Sequence, residues 1–343
     1  MRQRLLVGLL VACVATGLWV MTNIQRIVIA TTASTRVNLP LLATGPSPTP
    51  PIPPPRPSEV PGSSSRRSWR SVRNWVYWLN SPNLEAIKAT NYNLAVIDYS
   101  RDGTARGRFT AQEIASLQTT GCQRRVLAYL SIGQAEQYRS YWRSEWRIGN
   151  PAWLVAEDPD WPTNYYVRYW DPEWQAIIYA YLDQILESGF DGVYLDRVDA
   201  YTQAYARGHE ADMKAFVAAI AAYARARSSL GDEFGVFPQN AEALGSDPSY
   251  VAVTTGIGVE ELYYRSTNRS VPESERVQRA ALVGRFRDGA RGGLVLTVDY
   301  TNQTNMIRDA YARSARNGFV PYVANTALDR LFVHQGNEPA CGS

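Results

Sequence analysis

The sequence predicts an α/β chain folded as a single (β/α)8 TIM barrel, and two observations carry that expectation. From about Trp69 to the end, short β-branched or aromatic runs alternate with longer stretches of helical periodicity, the pattern of a parallel sheet with crossover helices. Eight such runs fit in this length, which suits a barrel better than a doubly wound sheet. The composition agrees, since 45% hydrophobic and 11% aromatic residues in a chain of 343 supply a large core.

The elements can be taken in order. "MRQRLLVGLLVACVATGLWVM" sets two arginines before an apolar run from Leu5 to Met21, the layout of a signal peptide or signal anchor over residues 1–30. Ala30 and Ala33 offer small residues to a peptidase, while the length of the run equally suits a retained anchor. "LVAC", ending at Cys13, resembles a lipobox, but the apolar stretch continues well past it, unlike a lipoprotein signal. Residues 31–68 read as a linker: "PSPTPPIPPPRPSEVP" from Pro46 to Pro61 favours extended polyproline II and cannot bury a core. The expected barrel domain is 69–343. The chain is therefore expected at the cell surface or outside the cell, touching a membrane only through its N-terminus, and acting as a monomer.

The predicted strands are "NWVYWLN", "LAVIDYS", "RVLAYLSIG", "GVYLDRV", "FGVFPQN", "GIGVEEL", "LVLTVDY" and "FVPYVAN". "NYYVRYW" stays outside the count because no helix precedes it. One helix is specified at both ends. Asp171 serves as N-cap and Pro172 as N1, and Trp174, Ile177, Ile178, Tyr181, Leu182 and Ile185 recur at helical spacing before Gly189 stops the run. "DMKAFVAAIAAYARARSSLG" repeats that logic, with Met213, Phe216, Val217 and Ile220 on one face and Gly231 beyond the end. On this reading Trp170 and Trp174 belong to helix packing rather than to a substrate platform.

Several function classes drop out. A net charge of +3, with the arginines of "SSSRRSWRSVR" in the linker, gives no nucleic-acid footprint. Only His209 and His334 are present, both in polar surroundings that read as surface, so neither a zinc cluster nor a Ser-His-Asp triad is expected. No P-loop, G-x-S-x-G, G-x-G-x-x-G or EF-hand spacing occurs, and the two glycines of "GIGVEE" lack a phosphate-binding continuation. No metal or cofactor is therefore expected. With Cys13 in the signal, Cys122 and Cys341 either pair in an oxidising compartment or remain two free thiols.

Barrel active sites collect at the C-terminal strand ends. Here those ends carry Tyr77 and Trp78, Asp98 and Tyr99, Tyr129 and Ser131, Asp196 with Arg197 and Asp199, Gln239 and Asn240, Glu260 and Glu261, Asp299 and Tyr300, and Asn325. Any one acid has a plain alternative as a helix N-cap. As a set they resemble a carbohydrate cleft, in which rings stack on sugar faces and acids and amides read hydroxyls. Strand alternation lets only one of Glu260 and Glu261 face the axis, and Glu261 is taken as the spare. Carboxylate-only chemistry without a cofactor points to glycoside hydrolysis.

"LAVIDYS", "VLAYLSIGQAEQYRSYW", "YWDPEWQAIIYAYLDQILESGFDGVYLDRVDAY", "FPQNAEAL", "GIGVEELYY" and "VLTVDYT" together resemble the endo-α-1,4-polygalactosaminidases of glycoside hydrolase family 114. The resemblance spans about Trp75 to Asn325. It implies a TIM barrel cleaving galactosamine polymers, with Asp196 and Glu260 as the catalytic pair and Asp98, Tyr129 and Asn240 lining the sugar site. By analogy with retaining galactosidase barrels, Asp196 is the nucleophile and Glu260 the acid/base. Tyr99, Ser131, Asp199, Asp299 and Tyr300 complete the substrate-binding set expected from the strand ends. The acids Asp98, Asp196, Glu260 and Asp299 would make the cleft acidic and suited to a cationic, partly deacetylated polysaccharide. The family usually reads "SIGEAE" where this chain has Gln134. A surface carbohydrate-binding protein without turnover, or a hydrolase of another α-linked polysaccharide, remains open on the sequence.

Overall fold

The computed structural model describes residues 68–338 and Cys341. The expected signal, lipobox and stalk lie outside the described residues. All eight predicted strands are present: β1 Val76–Trp78, β2 Leu94–Asp98, β3 Arg125–Ser131, β4 Gly192–Asp196, β5 Gly235–Pro238, β6 Gly256–Glu260, β7 Leu294–Tyr300 and β8 Val320–Ala324. Nearly all are buried throughout, which is why they read as continuous apolar runs rather than as alternating ones.

The strands follow one another in sequence order and every pairing is parallel. Two ladders result, one of β1 to β5 and one of β6 to β8. A single bridge, Gln239 with Gly258, joins them. Between β8 and β1 the described residues show no ladder; Trp75 Nε1 donates to Val320 O at 3.0 Å across that seam instead. The fold is thus barrel-like, and the expectation of full closure by hydrogen bonding is corrected at this edge. β1 is only three residues long, and all three pair with β2.

Among the described residues seven α-helices alternate with the strands: α1 Leu84–Lys88, α2 Ala111–Thr119, α3 Pro172–Glu187, α4 Glu210–Arg227, α5 Pro248–Val253, α6 Glu273–Gly289 and α7 Thr304–Arg316. The start of α3 is as predicted, with the Asp171 side chain accepting from Glu173 N and Pro172 in the first turn. A capping box of Thr110 and Glu113 starts α2. The "NYYVRYW" segment does form a strand, Asn164–Val167, but it lies outside the barrel. It pairs antiparallel with Gln134–Glu136 and Leu154–Glu157 in a small sheet inserted between β3 and α3.

Aromatic rings fill the barrel interior. Tyr77 lies 5.6 Å from Trp75 and 5.2 Å from Tyr194, and Trp75 also packs on Tyr322 at 5.9 Å. Such a filling needs room on the facing strand. A Cβ built on Gly258 would sit 1.9 Å from the Tyr194 hydroxyl, so β6 can pass that ring only with glycine there. At the opposite end Arg125 and Asp191 form a buried ion pair at 3.1 Å, and Asp191 also accepts from Val126 N.

The chain after β8 contains no helix among the described residues. It runs back across the seam: Leu328 O accepts from Leu79 N and Asn80 N, and Tyr92 OH donates to Phe332 O and Glu338. A disulfide joins Cys122 to Cys341, with Cα atoms 5.4 Å apart, so of the two readings left open by sequence the paired one holds. The two histidines are not simple surface residues. His209 stacks on Trp170 at 3.6 Å and contacts Asp212, and His334 Nε2 meets Val323 O at 2.9 Å.

The disulfide spans 219 residues, a loop length at which its loss costs about 2–5 kcal/mol. Cys341→Ser should lower the melting temperature by several degrees in calorimetry, and reductant should lower the wild type to match while leaving the variant unmoved.

Candidate active site

The site is built where three consecutive strands end in sharp left-handed turns. Arg197 follows β4 with φ +58°, Asn240 and Ala241 follow β5 with φ +56° and +55°, and Glu261 follows β6 with φ +53°. A side chain in this region costs about 1 kcal/mol or more. Four such residues at one end of the barrel mark a constrained rim, and the constraint holds Asp196 and Glu260 at the strand termini.

Each of the two carboxylates has a tyrosine. Tyr129 OH donates to Asp196 Oδ2 at 2.6 Å, and Tyr300 OH donates to Glu260 Oε1. Asn240 grips Glu260 twice: its Nδ2 donates to Glu260 Oε2 at 3.2 Å and its Oδ1 accepts from Glu260 N at 3.0 Å. Tyr77 OH donates to the side chain of Gln239, which in turn hydrogen-bonds Glu260. From outside the barrel, Arg279 of α6 donates to Glu260 O and Glu261 O at 2.9 and 2.7 Å and pairs with Glu242.

Burial pushes the Asp196 carboxyl up to about 7, and the charge of Glu260 pushes the same way; the Tyr129 hydroxyl and Arg197 oppose them. Burial also raises Glu260, against hydrogen bonds from Tyr300, Asn240 and Gln239. The charge of Glu260 thus acts on Asp196, so ionising one opposes ionising the other.

The other expected residues divide. Asp98 lies beside the site but is bound in an ion pair with Arg139 at 2.7 Å. Arg139 also holds Glu136 at 2.7 Å and lies 5.7 Å from the Tyr129 ring, so the cluster backs the tyrosine that contacts Asp196. Asp199 stands half-buried in the turn after β4; burial raises its carboxyl and Arg197 opposes. Ser131 lies opposite Asp196 in the strand register, but its hydroxyl donates to Gln134 O at 3.1 Å. Two expectations are corrected. Tyr99 points away from the axis, its ring 4.4 Å from Tyr181 of α3. Asp299 also faces outward, where Oδ1 accepts from Tyr263 N and Tyr264 N at 2.6 and 2.8 Å and anchors the loop after Glu260. Strand alternation is the reason: once Tyr300 reaches Glu260, its neighbour must point the other way. The acidity expected of the cleft from four carboxylates shrinks accordingly.

Arg139, Arg279, Tyr194 and Asp158 belong to the site's support and carry no sequence signal of their own. Asp158, just after the strand Leu154–Glu157 of the inserted sheet, accepts from Gln134 Nε2 at 2.6 Å and pairs with Arg197 at 3.3 Å. A glutamate at 134 would set a second carboxylate against it, so the amide fits the partner this chain supplies. Glu261, in the left-handed turn beyond β6, accepts from Ser266 N. Trp174 is buried in α3 with Nε1 donating to Ile132 O, a packing role. No group of His, Cys, Asp and Glu that could hold a metal ion occurs among the described residues, nor is any helix there long and apolar enough to cross a membrane.

The model of glycoside hydrolase family GH114 matches residues 59–339. The chain belongs to that family. It is similar to an uncharacterized protein of Deinococcus radiodurans, 39% identical over 85% of this chain and 92% of that protein. An uncharacterized protein of Thermotoga maritima is 36% identical over 78% and 85%. Among solved structures, the glycoside hydrolase domain of PelA from Pseudomonas aeruginosa superposes with a TM-score of 0.56 at 19% identity, covering 76% of this chain and 97% of that domain. Ega3 of Aspergillus fumigatus, solved in complex with galactosamine, gives 0.57 at 19% identity, covering 78% and 96%. At that identity both likenesses speak for the fold, an α/β barrel of the GH114 type.

The raised Asp196 sets a stability test. With a folded value near 7 against an ordinary 3.8, the fold is penalised by the ionised form above pH 7 and relieved as pH falls from 7 toward 4. Asp196→Asn keeps an acceptor for Tyr129 and removes the charge. It should raise the melting temperature by several degrees at pH 8 and change it little at pH 4; an equal shift at both would locate the burial cost elsewhere.

Proposed function

We propose that this GH114 member is an exported endo-acting hydrolase of α-1,4-linked, galactosamine-containing polysaccharide. The observation carrying the reading is the Asp196 and Glu260 pair, two coupled carboxylates ending β4 and β6, each held by a tyrosine hydroxyl. Asp196 acts as nucleophile. Its oxygen forms a bond to the anomeric carbon while the glycosidic bond breaks and the Glu260 proton passes to the leaving oxygen. Glu260 then takes a proton from water, which attacks the anomeric carbon and frees Asp196. Tyr129 and Arg197 favour the ionised Asp196 that this step needs. The galactosamine assignment leans on family membership and on the galactosamine complex of Ega3. Export is supported by the disulfide, which persists in oxidising compartments. A binding protein without turnover is the competing reading; new reducing ends from partly deacetylated galactosamine polymer, measured with the purified protein, separate the two.

A positioned acid or base contributes at least about 100-fold. Asp196→Asn and Glu260→Gln should each lower the rate of reducing-end release by that factor with unchanged circular dichroism, and Glu261→Gln should lower it far less. Near-normal release by either of the first two variants removes the assigned role.

With Asp98 engaged by Arg139 and Asp299 turned out, Asp199 is the carboxylate beside the pair left to meet a cationic sugar. A charge-assisted hydrogen bond contributes roughly 1.5 kcal/mol or more, so deacetylated polymer should be cleaved about tenfold better than fully acetylated polymer. Asp199→Asn should erase most of that preference in kcat/KM. A preference that survives the substitution assigns amine recognition to other groups.

A further inference from the structure

Outside the catalytic end, α6 and α7 are separated by an open groove of about 470 Å³. Its floor is made of small residues, Ala280, Ala281 and Gly284. Glycine within a helix is unfavourable relative to alanine and is normally explained by close packing. Gly284 is buried, yet a Cβ there would meet nothing nearer than Arg287 Nη2 at 3.8 Å, so close packing against a side chain at this position does not explain the glycine.

Five guanidinium groups wall the groove, those of Arg276, Arg285, Arg287, Arg313 and Arg316. Three are matched by carboxylates: Arg276 by Glu273, Arg287 by Asp288 at 2.8 Å and Arg313 by Asp309 at 2.5 Å. The other two form no ion pair among the described residues. Arg285 is exposed and donates only to the neutral Ser246 Oγ at 2.8 Å, and exposed Arg316 makes no hydrogen bond there, its charge reaching only Asp309, which Arg313 already holds. The groove thus carries an excess of cations with planar donor forks suited to carboxylate or phosphate oxygens. It also carries apolar surface: Val277 is 60% exposed and Ala281, one turn on, is exposed as well, while the bordering rings of Tyr263 and Phe319 are buried. Bare phosphate chains have no use for that surface. Sugar rings do, since their apolar faces pack on aliphatic and aromatic side chains.

We propose that this groove binds an acidic polysaccharide of the polyuronate type, with Arg285 and Arg316 taking carboxylates and Val277 and Ala281 taking ring faces. None of the residues that hold Asp196 or Glu260 lines it, so the site would keep the enzyme on an anionic glycan while the opposite chemistry, acids meeting a cationic sugar, proceeds at the barrel mouth. The charge sign separates it from the catalytic cleft and makes the two testable apart.

The experiment is affinity electrophoresis of the full chain through gels containing polygalacturonate, fully methyl-esterified polygalacturonate or polyphosphate. Polygalacturonate should retard the wild type strongly at low salt, with retardation fading as salt rises. Arg285→Glu/Arg316→Glu should weaken apparent binding about tenfold. Gly284→Leu, which fills the groove without changing charge, should weaken it as well, while reducing-end release from a soluble substrate stays at the wild-type rate. A control that reverses two exposed arginines elsewhere, Arg106→Glu/Arg207→Glu, should bind as the wild type does. Absence of retardation, equal retardation by the esterified polymer, equal or stronger retardation by polyphosphate, equal loss in the control, or undiminished binding by either groove variant would each overturn the proposal.

Discussion

The structure is organised around the cost of holding two carboxylates, Asp196 and Glu260, in partial burial within reach of one another's charge. Isolated, such groups would take up protons or draw in water. Here each meets a tyrosine hydroxyl, and Glu260 is further gripped by Asn240 and Gln239. These donors sit on β3, β7 and the ends of β5, so compensation comes from around the barrel rather than from the strand that bears the acid. The aromatic interior below serves the same end. Trp75, Tyr77 and Tyr194 leave little room for water under the pair and keep the local dielectric low, which is what couples the two charges.

Support for the site extends outward in layers of opposite charge. Arg139 takes up Asp98 and Glu136 and lies near the Tyr129 ring. Arg279 reaches from α6 to the backbone oxygens of Glu260 and Glu261. Asp158 is held by Gln134 and Arg197, which ties the inserted sheet to the turn after Asp196. Burial alone would raise Asp158, but the Asp160 N–H, Gln134 and Arg197 outweigh it and keep that carboxyl below its ordinary range. It therefore stays an anion beside Arg197, whose own charge helps ionise Asp196.

Much of this was legible in the sequence because buried parallel strands write themselves as apolar runs, and because acids at their ends have few other reasons to be there. The eight strands, the start of α3 and the convergence of Asp196, Asn240, Glu260 and Tyr300 all followed from that. Asp299 and Tyr99 were misplaced for one reason: the alternation that separates Glu260 from Glu261 also separates Asp299 from Tyr300 and Asp98 from Tyr99, and only one of each pair can face the axis. Arg139 and Arg279 left no trace, since each arrives from a distant loop or helix and its partner is fixed by tertiary contact alone. The strand in "NYYVRYW" was hidden by its context, an antiparallel insertion in a parallel pattern.

The unladdered seam between β8 and β1 gives the tail beyond β8 a meaning of its own. An eight-stranded ring is most easily breached where no backbone ladder crosses it, and a chain end lying over that gap would normally be the first segment to fray. Here the segment after β8 is fastened at Cys341 to Cys122, 219 residues upstream, so loosening beyond Cys341 does not run inward across the seam. Opening the seam then requires the tail to lift as a closed loop, a slower event than peeling a free end. Where proteases act on whatever loosens, persistence is governed by that rate rather than by the equilibrium between folded and unfolded forms.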